Sequence, residues 1–204
     1  LSLVGSEMCI RDRYEYKDDM FIVDCGLAFP TSDLPGVDLV IPDFTYVEKN
    51  RHKIKGVLVT HGHEDHVGGL PAVVDAVPVG QAIVSPVTTD SEYYRDFVDA
   101  LADRGVTPVA GQAGMQFSLG DAKCTLLGPT AAGSDLNNSS LVLQVRFGGA
   151  TFLFMGDAGA EEERSLIQSG ADVSCDVLAV GHHGSDSATG YVFLRQALPK
   201  YAVI

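Results

Sequence analysis

The chain has 204 residues, 46% of them hydrophobic, and carries a net charge of −13 with a pI near 4.6. This composition is sufficient for a sizeable buried core within one domain. The acidic balance argues against a broad electrostatic grip on nucleic acid, which depends on Lys and Arg at the phosphates. No apolar run reaches the roughly 18 residues that a membrane-spanning helix needs.

The first thirteen residues show no helical or strand period. This stretch is similar to a translated sequencing adapter, and we therefore expect 1–13 to be a non-native tail outside the fold. The domain is expected to occupy 14–204.

Apolar runs bounded by turn residues predict nine strands in the remainder of the chain. These are residues 20–25, 39–41, 54–60, 82–85, 116–119, 123–127, 141–147, 151–155 and 177–180. Glycine-containing pairs at 120–121 and 148–149 are expected to form hairpin turns.

Two helices are predicted as well. Residues 90–104 place four apolar side chains on one face and end at Gly105. These four are Tyr94, Phe97, Val98 and Leu101. Residues 161–164, Glu-Glu-Glu-Arg, open a second helix, whose acidic first turn complements the helix dipole and is expected to form a solvated face.

Five of the six histidines fall in two groups, each at the end of a predicted strand. In the first group, His61-Gly62-His63-Glu64-Asp65-His66, residues i and i+2 point the same way. His61 and His63 can therefore bind one ion through imidazole nitrogens at about 2.0–2.1 Å. Asp65 and His66 follow where the chain turns into a helix, and they face a second ion. The sixth histidine, His52, is expected in a solvated basic turn.

Two further strand ends are expected to complete this site. Asp157 follows the strand 151–155 and can bridge both ions, and the pair His182-His183 follows the strand 177–180. Seven metal ligands are thus predicted: His61, His63, Asp65, His66, Asp157, His182 and His183.

This pattern resembles the metallo-β-lactamase superfamily. The resemblance implies an α/β fold, a four-layer αββα sandwich, truncated here at the C-terminus, with a dinuclear metal site at one edge. It also implies that Asp24, at the end of the strand 20–25, orients a ligand without binding the metal itself.

Two members of that superfamily are recognisable. Residues 14–71 resemble ribonuclease J, and the resemblance is carried by 23–30, 36–43 and 60–71. Residues 61–204 resemble the metallo-hydrolase domain of ComEC-type DNA-uptake proteins, and that resemblance is carried by 85–90, 135–143 and 180–185. An adapter-like tail joined to two family patterns suggests that the reading frame is partly an assembly product. A long sequencing read spanning codons 1–90 as one locus would contradict this hypothesis.

No histidine lies between His66 and His182. Ribonuclease J places a ligand histidine in this interval, whereas the ComEC-like group resembles this chain in having an Asn-Ser segment, here residues 137–140. One metal position must therefore rely on His61, His63, Asp157 and water or a weaker ligand. The absence favours the ComEC-like group as the guide to the substrate.

The resemblance implies a metal-dependent hydrolase with two divalent ions, Zn or Mn. We expect a phosphodiesterase or nuclease that attacks DNA, RNA or a small phosphodiester with a metal-bound hydroxide. Asp65 would ligate and orient, and whichever of His182 and His183 is not a ligand would donate a proton to the leaving oxygen. The alternatives are hydrolysis of an ester, thioester or lactone, or an inactive chimeric or vestigial domain.

Three smaller expectations complete the prediction. Ser185 is a turn residue and not a nucleophile, because no positioned carboxylate accompanies its histidine neighbour. The four cysteines have no CxxC spacing and are expected to be buried thiols. The default location is the cytoplasm.

Overall fold

The strands among the described residues form two six-stranded sheets. The computed structural model describes residues 2–4, 12–27, 36, 40, 43–130 and 135–204. The chain divides into two compact units, Leu1–Ile83 with Thr88–Val109 and Val84–Val87 with Ala110–Ile204.

The first sheet has its strands in chain order. They are β1 (Ser2–Val4), β2 (Asp12–Tyr16), β3 (Asp19–Val23), β4 (Ile54–Val59), β5 (Ala82–Val84) and β6 (Val109–Ala110). The pairs β1–β2 and β2–β3 are antiparallel, and β3 runs parallel to β4 with Val23 opposite Leu58. Both parallel strands are apolar and almost entirely buried, as is typical of parallel strands.

Strand β1 is a difference from the sequence-based expectation. Ser2 to Val4 pair with Glu15 to Arg13 although the segment has no strand period. Backbone hydrogen bonding at the edge of a sheet does not require one, since it uses only main-chain groups. Residues 5–11 lie outside the described residues, and the non-native origin of the tail stays a prediction.

Four helices accompany the first sheet. They are α1 (Thr45–Lys49), α2 (Glu64–Val67), α3 (Leu70–Ala76) and α4 (Glu92–Asp103). Helix α4 confirms the helix predicted over 90–104. The Ser91 side chain caps it by accepting a hydrogen bond from the Tyr94 N–H, and Phe97 and Leu101 are fully buried on the expected face.

The second sheet has the strand order β12-β11-β10-β9-β8-β7. The strands are β7 (Gln116–Leu119), β8 (Ala122–Leu126), β9 (Leu143–Phe147), β10 (Ala150–Phe154), β11 (Val177–Ala179) and β12 (Tyr201–Val203). The pairs from β7 to β10 are antiparallel, whereas β10–β11 and β11–β12 are parallel. Its helices are α5 (Ala160–Ser169) and α6 (Tyr191–Ala197).

The core of the second unit joins its two helices to the central strands. Leu166 of α5 and Phe193 of α6 pack with Leu153, Met155 and Leu178, all of them buried. The predicted strands of this unit are confirmed to within two residues at each end, whereas α6 and β12 were missed. Of the predicted strand 39–41, only Val40 is among the described residues.

The expectation of a solvated acidic turn at the start of α5 is wrong. Glu161 is exposed, but Glu162 is 0% and Glu163 is 3% exposed. Glu162 accepts hydrogen bonds from the backbone N–H and the hydroxyl of Thr130, and Glu163 accepts from the N–H groups of Thr189 and Gly190. Burial of these carboxylates is possible because each is hydrogen-bonded by a neighbouring loop.

Cys25, Cys124 and Cys175 are buried thiols, as expected, and Cys9 lies outside the described residues. Among the described residues, no helix combines the length and the apolar character needed to cross a membrane.

Candidate metal centre

A first group of candidate ligands lies at the carboxyl ends of β3 and β4. Because these strands are parallel, the residues that follow them meet at the same edge of the sheet. Asp24 follows β3 and Thr60 and His61 follow β4. The sheet topology of this unit therefore brings the predicted orienting aspartate to the start of the histidine motif.

Asp24 is almost fully buried and holds this edge together through three hydrogen bonds. The Thr60 N–H reaches Oδ1 at 2.7 Å, the Thr60 hydroxyl donates to Oδ2 at 2.6 Å, and His66 Nδ1 lies 2.8 Å from Oδ2. A carboxylate at Nδ1 fixes the imidazole tautomer that leaves Nε2 as the ligand atom. Asp24 therefore orients His66, which is the role that the resemblance implied.

His61 and His63 face each other directly. Nε2 of His61 and Nδ1 of His63 are 2.9 Å apart. Two nitrogens on one tetrahedral zinc ion would be about 3.3 Å apart, given bonds of about 2.0–2.1 Å. The i, i+2 spacing thus places two imidazole nitrogens close to chelating separation, and their binding of a shared ion stays a prediction.

Asp65 and His66 lie on α2, immediately after these two histidines. Oδ2 of Asp65 is 3.9 Å from Nε2 of His66, so the carboxylate and this imidazole nitrogen are neighbours. Gly26 allows this helix to approach β3, because a Cβ at Gly26 would lie 1.4 Å from the Asp65 carbonyl oxygen. The Cys25 N–H also donates to the His66 carbonyl at 2.7 Å.

The second unit repeats this topology with its own group of candidate ligands. Parallel strands β10 and β11 end before Asp157 and before the pair His182-His183, respectively. Asp157 is 2% exposed, and its N–H donates to the hydroxyl of Ser140 at 3.1 Å. The Asn-Ser segment 137–140 therefore holds the backbone of the aspartate in place.

The two histidines lie against different oxygens of Asp157. His183 Nε2 is 3.2 Å from Oδ1, and His182 Nε2 is 3.8 Å from Oδ2. The opposite nitrogen of His182, Nδ1, is 3.1 Å from the Ser187 hydroxyl. Both imidazoles therefore present Nε2 to the same buried carboxylate.

The donor set in each unit fits a divalent metal. Histidine and aspartate side chains able to bind metal ions are present in both units. The first unit offers a close imidazole pair and an adjacent Asp-His pair, and the second offers a buried carboxylate beside two imidazoles. Such nitrogen and oxygen ligands suit Zn and Mn, and soft sulfur ligands are not among them.

Sequence reasoning missed several residues that hold these ligands. Thr60 and Ser140 are bonded to Asp24 and Asp157, and Ser187 is bonded to His182. Asn138 caps α5, since its Oδ1 accepts from the N–H groups of Gly159 and Glu162. The Asn-Ser segment 137–140 was a visible signal, but its spacing does not reveal which backbone groups it serves.

Two other sequence-based expectations concern Ser185 and His52. Ser185 lies in the turn after His182, where its N–H donates to the His182 carbonyl and its hydroxyl contacts the Ser187 hydroxyl. These contacts agree with a turn residue. His52 is exposed in the 3-10 turn Arg51–Lys53.

Comparisons with known proteins identify the family and the fold. The family model of the metallo-beta-lactamase superfamily matches residues 14–204. The structure of Zn²⁺-bound PqqB from Methylobacterium extorquens superposes with a TM-score of 0.53 over 83% of this chain and 58% of that one, at 13% identity. That likeness confirms the metallo-β-lactamase fold expected from the sequence.

Both recognised resemblances are also confirmed. Ribonuclease J of Synechocystis sp. is 54% identical over 67 residues, which are 33% of this chain and 10% of that protein. ComE operon protein 3 of Bacillus subtilis is 29% identical over 170 residues, or 83% of this chain and 22% of that protein. The chain thus spans between about a tenth and about a fifth of the length of these relatives. With the family model matching nearly its whole length, the chain belongs to the metallo-β-lactamase superfamily.

Proposed function

We propose that this chain is a metal-dependent phosphodiesterase or nuclease with two divalent ions. The observation that carries the proposal is the pairing of ligand-type side chains with buried orienting groups in each unit. In the first unit Asp24 fixes His66, and in the second Ser140 holds Asp157. Surface histidines without a ligand role have no need of such partners.

The proposed ligands are His61, His63, Asp65, His66, Asp157 and His183. We assign His183 as a ligand because it lies closer to Asp157 than His182 does. Asp157 is the proposed shared ligand of the two ions, because it is 2% exposed and its Oδ1 lies 3.2 Å from Nε2 of His183.

Divalent ions held by these residues would supply Lewis acidity to a phosphoryl oxygen and would lower the pKa of a water molecule. The residues of the chain do the remaining work. Asp65 is proposed to bind a metal ion and to orient the attacking water, beside His66, whose Nε2 is 3.9 Å away. His182 is the proposed proton donor to the leaving oxygen, because Ser187 fixes its Nδ1 side and its side chain is 32% exposed.

A phosphodiester is the proposed substrate class because the names of the ribonuclease J relatives specify RNA cleavage. The net charge of −13 implies that affinity would come from the metal ions and not from a basic surface. The ribonuclease J resemblance also supports the cytoplasmic location expected from the sequence.

The test is cleavage of labelled single-stranded DNA and RNA by the full chain loaded with Zn²⁺ or Mn²⁺, with Asp157→Ala as the control. Cleavage of either strand that disappears in the variant supports a metallonuclease, and the preferred strand identifies the substrate. Hydrolysis of esters, thioesters or lactones without nucleic acid cleavage would replace the proposal with the ester alternative. A metal-loaded protein that hydrolyses none of these substrates would overturn it in favour of an inactive chimeric or vestigial domain.

A further inference from the structure

The loop from Gly181 to Gly190 has an unusual backbone. Three of its residues that are not glycine have positive φ: His182 at 50°, His183 at 52° and Thr189 at 56°. Side chains with a Cβ rarely adopt this region, so each residue must be held there by its surroundings. Both histidines of the second unit therefore depend on contacts that fix the loop around them.

Glu163 provides such contacts from outside the loop. Its side chain lies on α5, is 3% exposed, and accepts hydrogen bonds from the N–H groups of both Thr189 and Gly190, the latter at 3.0 Å. Burial raises the pKa of this carboxyl group, and the two backbone hydrogen bonds oppose that rise. One carboxylate thus binds two successive main-chain donors at the far end of the loop.

Thr189 connects this end of the loop to the histidines. Its hydroxyl accepts a hydrogen bond from the Gly181 N–H at 3.0 Å, immediately before His182. Gly181 itself is confined, because a Cβ there would lie 2.6 Å from the Ala158 carbonyl oxygen. A continuous series of contacts therefore runs from Glu163 through Thr189 to the residue that starts the histidine turn.

We propose that Glu163 is a positioning residue for His182 and His183, acting through Thr189. This inference rests on the proposed function, in which the two histidines serve as proton donor and ligand. The carboxylate fixes the backbone of the loop, and the backbone in turn fixes where each imidazole points. The hydrogen bonds described for the Glu163 carboxylate go to the backbone N–H groups of Thr189 and Gly190.

Glu162 offers a matched control on the same helix. It is equally buried, at 0% exposure, and its Oε1 accepts from the N–H and hydroxyl of Thr130 at 2.8 and 3.0 Å. Thr130 lies on a different loop from the histidines. Loss of the Glu162 charge should destabilise the unit as loss of the Glu163 charge does, but the hydrogen bonds described for the Glu162 carboxylate lead to Thr130 and not to the histidine turn.

The experiment compares Glu163→Gln with Glu162→Gln in the metal-free full chain, by NMR of the histidine ring C–H groups. In Glu163→Gln the His182 and His183 signals should shift, whereas those of His61 and His63 should stay in place. In Glu162→Gln all four should stay. Equal movement of the His182 and His183 signals in both variants, or movement in neither, would overturn the proposal.

Thr189 supplies a second test that does not depend on a buried charge. Thr189→Val removes the hydroxyl that bonds Gly181, and Thr189→Ser retains it. Thr189→Val should shift the same two histidine signals and weaken Zn²⁺ binding about tenfold in a competition with a chelator, and Thr189→Ser should restore both. Failure of Thr189→Ser to restore them would contradict the route through this hydroxyl. Since ring signals are read without metal or substrate, an inactive enzyme would leave this test intact.

Discussion

Thr60 donates two hydrogen bonds to the carboxylate of Asp24, one from its N–H to Oδ1 and one from its hydroxyl to Oδ2. The two residues follow neighbouring parallel strands, β3 and β4. With His66 as a third partner, a carboxylate that is 3% exposed is bonded on both oxygens. This is the arrangement that makes a buried charge tolerable, and it also makes its removal costly.

Asp24→Asn should lower both stability and metal affinity. In the variant an NH2 group replaces one of the two carboxylate oxygens, so a hydrogen-bond donor would stand where Asp24 now accepts. We therefore expect a loss of about 3 kcal/mol in the free energy of unfolding. Affinity for Zn²⁺ should fall about 10- to 100-fold, because His66 loses the partner that orients it. Urea unfolding and chelator competition measure the two effects.

Asp19→Asn is the matched control for that change. Asp19 pairs with Lys55 at 3.1 Å near the surface, so its loss should cost less than about 1 kcal/mol. Equal losses in the two variants would show that the buried network around Asp24 has no special role.

Gly26→Ala should disrupt the approach of α2 to β3. The new Cβ would lie 1.4 Å from the Asp65 carbonyl oxygen, which is backbone and must move. We expect a loss of at least about 3 kcal/mol together with weaker metal binding, measured by thermal unfolding and metal titration. At Gly105, where φ is 69° but nothing lies within 4 Å of an added Cβ, alanine should cost only about 1 kcal/mol and leave metal binding unchanged.

Asp157→Ala should empty the centre of metal. If this carboxylate serves both ions, its removal reduces the bound metal from two equivalents towards none, as measured by elemental analysis of dialysed protein. His52→Ala should retain the full content, because His52 is exposed in a turn. Two tightly bound equivalents in Asp157→Ala would refute the bridging role.

The buried cysteines should resist alkylation in the folded protein. Burial raises the pKa of the Cys124 thiol to about 12, and burial together with the Asp176 carboxylate raises that of Cys175 to about 11. From an ordinary value of 9.0, a rise to about 12 lowers the thiolate fraction at pH 8 about 1,000-fold. Because the thiolate is the reactive form, labelling should appear at Cys175 before Cys124 as the pH is raised.

Iodoacetamide labelling followed by peptide mass spectrometry measures each cysteine separately. The urea-unfolded chain provides the reference rates. Labelling of folded Cys124 at pH 8 as fast as in urea would contradict the prediction.

The sequence predicted the ligand types but not the groups that hold them. His61 and His63 were identifiable because their i, i+2 spacing is local, and α4 because its apolar period is local. Ser140 and Glu163 were not, since each acts on a backbone N–H that is 17 or more residues away in the chain. Glu163 was even expected in solvent, because an acidic first turn is common on exposed helices and its partners lie beyond any sequence window.

Short elements were missed for a related reason. Helix α6 has seven residues and strand β12 has three, too few for a period to stand out. Their positions depend on packing, as Phe193 shows by filling the core of the second unit. The family and its fold were nevertheless predictable, because the histidine motif that identifies the family is local in the sequence.

The left-handed backbone of His182 and His183 lowers the stability of the turn that carries the two proposed functional side chains. Glycine or asparagine would adopt those φ values more readily, by about 1 kcal/mol at each position. A descendant that no longer used metal would gain stability by exchanging both histidines. If the two imidazoles serve the proposed function, the chain keeps them at positions where the backbone makes the fold less stable.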